Sequence, residues 1–184
     1  MPQPNLPPEP WVSFLMELDE LATGPVRLDC LGGFVVTLLY RSARSTADID
    51  VLEIAPGSAG DVFAGVAMQG GELHQKYGIY LDRVTVTQAP YDYESRLIEM
   101  FPGAFKNLRL MALDPYDLAL SKLERNIERD RSDVRYLART IPFDLEVLRN
   151  RYQAELRPYL GNPTREDLTM RLWIEAIQED RASE

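Results

Sequence analysis

Apolar residues recur at helical spacing in Trp11, Phe14, Leu15, Leu18 and Leu21, which predicts a first helix over residues 11–21. Gly24-Pro25 ends it. Val26 to Leu31 reads as a short strand that runs into Gly32-Gly33, and Phe34 to Tyr40 is an apolar run two helical turns long. Residues 47–54 alternate as a strand does: Ile49 and Val51 are apolar, Asp48, Asp50 and Glu53 acidic. Pro56-Gly57-Ser58 breaks that strand and can cap a helix over 61–68. The β-branched run 79–86 predicts another strand, and residues 107–112 one more.

From there the pattern is helical. Asp114-Pro115 has the form of an N-cap followed by proline at the first helical position, with a long helix expected towards Asn126 and a second over 132–138. Residues 143–156 and 164–177 read as two further amphipathic helices. The order of elements implies an α/β or α+β fold with a helical C-terminal region. We expect a leader over 1–10 without fixed structure, a main domain over 11–140 and a helical extension over 141–184.

Composition narrows the class. With 184 residues, 45% hydrophobic and 27% charged, the chain has room for one domain with an appendage. The proline-rich start MPQPNLPPEP lacks the basic residues and apolar core of a signal peptide, and no apolar run is long enough to span a membrane. The single cysteine, Cys30, fits a reducing cytoplasm. The net charge of −9 argues against a general nucleic-acid binder. Residues 105–151, with 8 acidic and 10 basic side chains, form the one basic stretch.

The chemistry concentrates at Asp48 and Asp50. Alternate residues of a strand share a face, so the two carboxylates stand about 6–7 Å apart, within reach of one divalent cation. Two anions side by side are costly unless a cation compensates them. Upstream, Gly32-Gly33 suits a tight strand-to-helix turn whose backbone N–H groups favour phosphate. Arg44 and Thr46 are placed to hold phosphate oxygens or to fix the loop.

The string LGGFVVTLLYRSARSTADIDV resembles the signature of the polymerase-β-type nucleotidyltransferase superfamily, and in particular its bacterial branch of abortive-infection and toxin–antitoxin nucleotidyltransferases. That resemblance implies a nucleotidyltransferase-like mixed sheet flanked by helices, covering residues 26–140. It also implies Mg²⁺ or Mn²⁺ as cofactor and an NTP as substrate. Metal ligation then falls on Asp48 and Asp50, and phosphate contacts on Gly32, Gly33, Arg44 and Thr46. The acceptor would be RNA, tRNA in particular, or a protein, and an antitoxin-like partner is implied for a toxin-type enzyme.

A second segment, LDPYDLALSKLERNIERDRSDVRYL, resembles the same branch, which implies a phosphate contact for Lys122 and a base or anchor role for a downstream aspartate. In an unbroken helix, residues 122, 126, 129 and 133 lie within about 40° of one face, which favours Asp133 over Asp130. A helix break would let Asp130 cap the next helix instead.

The chain departs from the superfamily pattern in two places. Phe34 stands where many members have a phosphate-binding serine, and the third carboxylate is not evident. Asp82 is the best candidate for it. Glu53, an odd number of residues from Asp50, is expected on the other face. These departures keep open a catalytically inactive binding module with the same fold. Of the remaining residues, His74 is expected at the surface, and Cys30 and Trp173 in the core.

Overall fold

In the computed structural model, residues 5–183 are described. The chain divides into two compact units: residues 1–85 with 97–112, and residues 86–96 with 113–184. Among the described residues they carry a mixed five-stranded sheet and eight α-helices, an α/β fold. Residues 1–4, part of the expected leader, lie outside the described region. Residues 5–10 have no regular structure, although Pro7 is buried and Glu9 accepts a hydrogen bond from Ser13 Oγ. Residue 140, the expected end of the main domain, closes a helix inside the second unit.

The first unit holds the sheet, in the order β3-β2-β1-β5-β4. Helix α1 (Trp11–Leu21) precedes β1 (Val26–Leu31), and both match their predicted spans. After β1 come α2 (Gly32–Leu38), β2 (Asp48–Ala55), α3 (Gly57–Val66), α4 (Glu72–Tyr77) and β3 (Tyr80–Arg83). The edge strand β4 (Ile98–Met100) and β5 (Leu108–Ala112) complete the sheet. Strand β1 runs antiparallel to β2 and parallel to β5, and β2 runs parallel to β3.

Phe14, Leu15 and Leu18 of α1, Phe34 to Val36 of α2, and Leu28, Ile49, Val51 and Ile54 of the sheet are wholly buried. Removing each such side chain from water stabilises the fold by roughly 1.5–3 kcal/mol. Ile49 and Val51 therefore fix the orientation of β2, and its alternate residues Asp48 and Asp50 must face the other way. Cys30 is core, as expected.

The second unit is helical: α5 (Pro115–Leu120), α6 (Glu128–Thr140), α7 (Leu145–Arg151) and α8 (Thr164–Ser183), with a 3₁₀ turn at Tyr93–Arg96. Asp114 caps α5 by accepting from the backbone N–H groups of Tyr116 and Asp117. The long helix expected from Pro115 to Asn126 stops at Leu120 and passes through turns to Asn126, whose φ is 45°. Asparagine tolerates this left-handed conformation better than most residues. It is held there because Asn126 Oδ1 accepts from Trp173 Nε1 at 3.0 Å. The helix expected over 143–156 also ends early, at Arg151, and continues as a π turn over Tyr152–Leu156. Trp173 is core, while Leu168 and Leu172 beside it on α8 are exposed.

Candidate active site

The first unit brings seven of the predicted site residues together. In β1–β2, Asp50 pairs with Leu31, the residue immediately before Gly32. Gly32 has φ +69°, and a Cβ built on it would collide with Asp50 Oδ2 and lie 2.7 Å from Asp50 Cγ. Only glycine permits both the backbone conformation and so close a carboxylate. Gly33 plays the same part for a different partner. A Cβ there would overlap Arg44 Nη2 and stand 2.8 Å from Thr46 Oγ1. The glycine pair is thus the floor on which Asp50, Arg44 and Thr46 rest.

Thr46 Oγ1 donates to Asp48 Oδ1 at 2.7 Å, which fixes the direction of that carboxylate. Thr37 Oγ1 donates to the carbonyl oxygen of Arg44 at 3.3 Å and ties the connecting loop back to α2. Helix α2 is seven residues long, and the half-buried Arg44 lays its guanidinium against Gly33 at its start. Phe34 is wholly buried, with its ring centroid 5.2 Å from that of Trp11. Phe34 is therefore a core residue.

The third carboxylate comes from β3. Its parallel register sets Asp82 opposite Asp50 and Tyr80 opposite Asp48. Carboxylate oxygens of Asp48, Asp50 and Asp82, one from each, all lie within 4.8 Å of one another. Three oxygen donors at this spacing, two half-buried and one exposed, suit a hard divalent cation such as Mg²⁺ or Mn²⁺. Burial, followed by the charges of Asp48, Asp82 and Asp50, raises the Tyr80 phenol above its ordinary value.

Glu53 corrects one expectation. A register shift between Asp29 and Cys30 pairs Cys30 with Val51 but Asp29 with Glu53, so Leu52 is the extra residue of a β-bulge. The bulge inverts the alternation and returns Glu53 to the face of Asp50. Asp29, wholly buried and bridged by Arg27 at 2.9 Å, shares that face. Nothing local in the sequence marks either residue.

In the second unit, Lys122 Nζ donates to Asp133 Oδ2 at 2.9 Å and lies 3.7 Å from Asp130 Oδ1. All three side chains are buried, Lys122 being 4% exposed. The single-helix alignment of residues 122–133 does not occur, because the chain breaks at Asn126. The fold nevertheless closes Lys122 on Asp133 across that break. Asp130 stands in the first turn of α6 and accepts from the Ile127 N–H at 3.1 Å, and from Arg125. Burial acts to raise Asp130, but the Arg125 hydrogen bonds and the Lys122 charge outweigh it and hold the carboxyl below its ordinary value.

His74 is half-buried, its Nδ1 accepting from the Gly70 N–H. Among the described residues, no helix is long and apolar enough to cross a membrane.

Three strand-borne aspartates stand beside a glycine-pair turn and an arginine, a donor set whose chemistry could hold a divalent cation. A family model described as "Nucleotidyltransferase of unknown function (DUF6036)" matches residues 14–180, and the chain belongs to that family. No curated protein and no solved structure matches it.

Proposed function

We propose that the chain transfers a nucleotidyl group from an NTP to an acceptor in a reaction that depends on Mg²⁺ or Mn²⁺. The convergence of Asp48, Asp50 and Asp82 within 4.8 Å carries this reading. These three residues would hold the cation, which supplies charge neutralisation of the triphosphate and of the leaving pyrophosphate. Arg44, resting on Gly33, would contact phosphate oxygens. The acceptor oxygen attacks the α-phosphorus, the bond to pyrophosphate breaks, and the acceptor proton passes to a carboxylate of the site or to solvent. The acceptor is an RNA, with tRNA the leading candidate, or a protein side chain.

Lys122 is buried and donates to Asp133 beside Asp130. We therefore assign Lys122, Asp130 and Asp133 to holding α6 against the segment that follows α5. A toxin-type enzyme with an antitoxin-like partner is consistent with the resemblance of both segments. Growth arrest on expression, relieved by Asp50→Ala, would support it.

One observation favours a second reading. The burial of Phe34 at the phosphate-binding serine position suits an inactive module that keeps the fold for binding. Calorimetry with the Mg²⁺ complexes of ATP, GTP, CTP and UTP separates the two. The transferase reading requires binding of at least one NTP that is lost in Asp48→Ala/Asp50→Ala. Equal binding by wild type and double variant, or none by either, would sink it.

A further inference from the structure

In parallel β2 and β3, Asp48 stands opposite Tyr80 and Asp50 opposite Asp82. Residues in register share a face, as do alternate residues along each strand, so these four side chains form a two-by-two array. Three corners are carboxylates with converging oxygens. The fourth is a phenol, longer than an aspartate and rising from the same sheet face, within the field of all three charges.

The ring of Tyr80 is held in place. It packs edge-on against His74, with centroids 4.9 Å apart and planes at 73°. His74 in turn accepts from the Gly70 N–H at 2.9 Å. Among the described residues the Tyr80 hydroxyl makes no hydrogen bond, so an immobilised donor stands ready beside the carboxylates. A lysine or arginine at this corner would pair with the aspartates and compete with a cation. A neutral hydroxyl does neither, and it still attracts an anionic oxygen.

We propose that Tyr80 is a nucleotide-contacting residue, its hydroxyl donating to a non-bridging phosphate oxygen of an NTP whose cation Asp48, Asp50 and Asp82 hold. This rests on the transferase reading above and names a further residue of that site.

The test uses the full chain. Mn²⁺ binding, followed by the electron paramagnetic resonance signal of the free ion, is expected to be equal in wild type and Tyr80→Phe. Binding of the Mn²⁺ complexes of ATP, GTP, CTP and UTP is expected to weaken at least fivefold in Tyr80→Phe for the nucleotide that wild type prefers. Equal Mn-NTP binding in the two proteins overturns this inference alone. A change in Mn²⁺ binding itself also overturns it, since the hydroxyl would then serve the cation. Wild type that binds no NTP overturns the transferase reading as well. If Tyr80→Phe folds poorly, 3-fluorotyrosine at position 80 reads the contact without removing it. Its ¹⁹F resonance should shift further on adding NTP than on adding Mg²⁺ alone, and no further shift overturns the inference.

Discussion

Gly32 and Asp50 compete for the same space: any Cβ at position 32 would collide with the Asp50 carboxylate. The glycine therefore sets where a proposed metal ligand sits, although it ligates nothing itself. Gly32→Ala must both push Asp50 aside and hold a non-glycine residue at φ +69°, a strain of roughly 1–2 kcal/mol. The variant should remain folded by circular dichroism, melt a few degrees lower, and bind Mn²⁺ at least tenfold more weakly. Gly57→Ala is the control, because a Cβ there meets nothing within 4 Å. It should leave Mn²⁺ binding unchanged and not lower the melting temperature. Undiminished Mn²⁺ binding in Gly32→Ala would show that Asp50 is not held by this contact.

Lys122 and Asp133 form a buried pair at 2.9 Å, with Asp130 as a second anion at 3.7 Å. Removing one member of a buried pair strands the other charge and costs about 3–5 kcal/mol, whereas replacing both with apolar side chains costs far less. Urea unfolding should show large losses for Lys122→Met and for Asp133→Leu. The double variant Lys122→Met/Asp133→Leu should lose less than the sum of the single changes. Strictly additive losses would mean that the pair is not coupled in solution.

Much of this fold is legible from local periodicity. The 3.6-residue spacing of Trp11, Phe14, Leu15 and Leu18 and the two-residue spacing of Ile49 and Val51 match α1 and β2 closely. Asp48 and Asp50 are legible for the same reason, because two residues of one strand share a face whatever the rest of the chain does. Asp82 is legible only as a candidate. Its place depends on which strand pairs with β2, and in what register, and that is a long-range property. Tyr80 carries no local signal at all, since a tyrosine on a strand reads as core until the register puts it beside Asp48. The bulge at Leu52 and the break at Asn126 are hidden for another reason. Neither segment contains the glycine or proline that usually marks such a feature, and both are imposed by tertiary partners.

Asn126 supplies the third prediction. Its backbone is left-handed, and its side chain accepts from Trp173 Nε1 at 3.0 Å. Asn126→Gly keeps the backbone at ease but leaves a buried indole N–H unmatched, at a cost of about 1–3 kcal/mol. Asn126→Ala adds left-handed strain to the same loss. The expected order of melting temperatures is wild type, then glycine, then alanine, with a changed Trp173 emission in both variants. Alanine equal to glycine would mean that the left-handed turn contributes no strain.

Asp130 and Asp117 give the chain two acid responses of opposite sign. Burial pushes Asp130 up, but the Arg125 hydrogen bonds and the Lys122 charge outweigh it and hold the carboxyl below its ordinary value. The unfolded chain then takes up that proton first as pH falls. Its stabilisation is complete above the unfolded value, about 4, and is lost on acidification through the folded one. Asp117 runs the other way. Burial raises it, against the opposing hydrogen bond from Arg96, so the folded chain takes up the proton first. Acidification through the raised value therefore adds stability from Asp117, a gain complete once the pH is below the unfolded value. In melting curves between about pH 6 and 3, Asp130→Asn should flatten the acid loss of stability, and Asp117→Asn should steepen it. The slopes carry the comparison, since both variants also break ion pairs and start from a lower melting temperature. Parallel slopes for wild type and Asp130→Asn would mean that Asp130 titrates alike in the folded and unfolded chain.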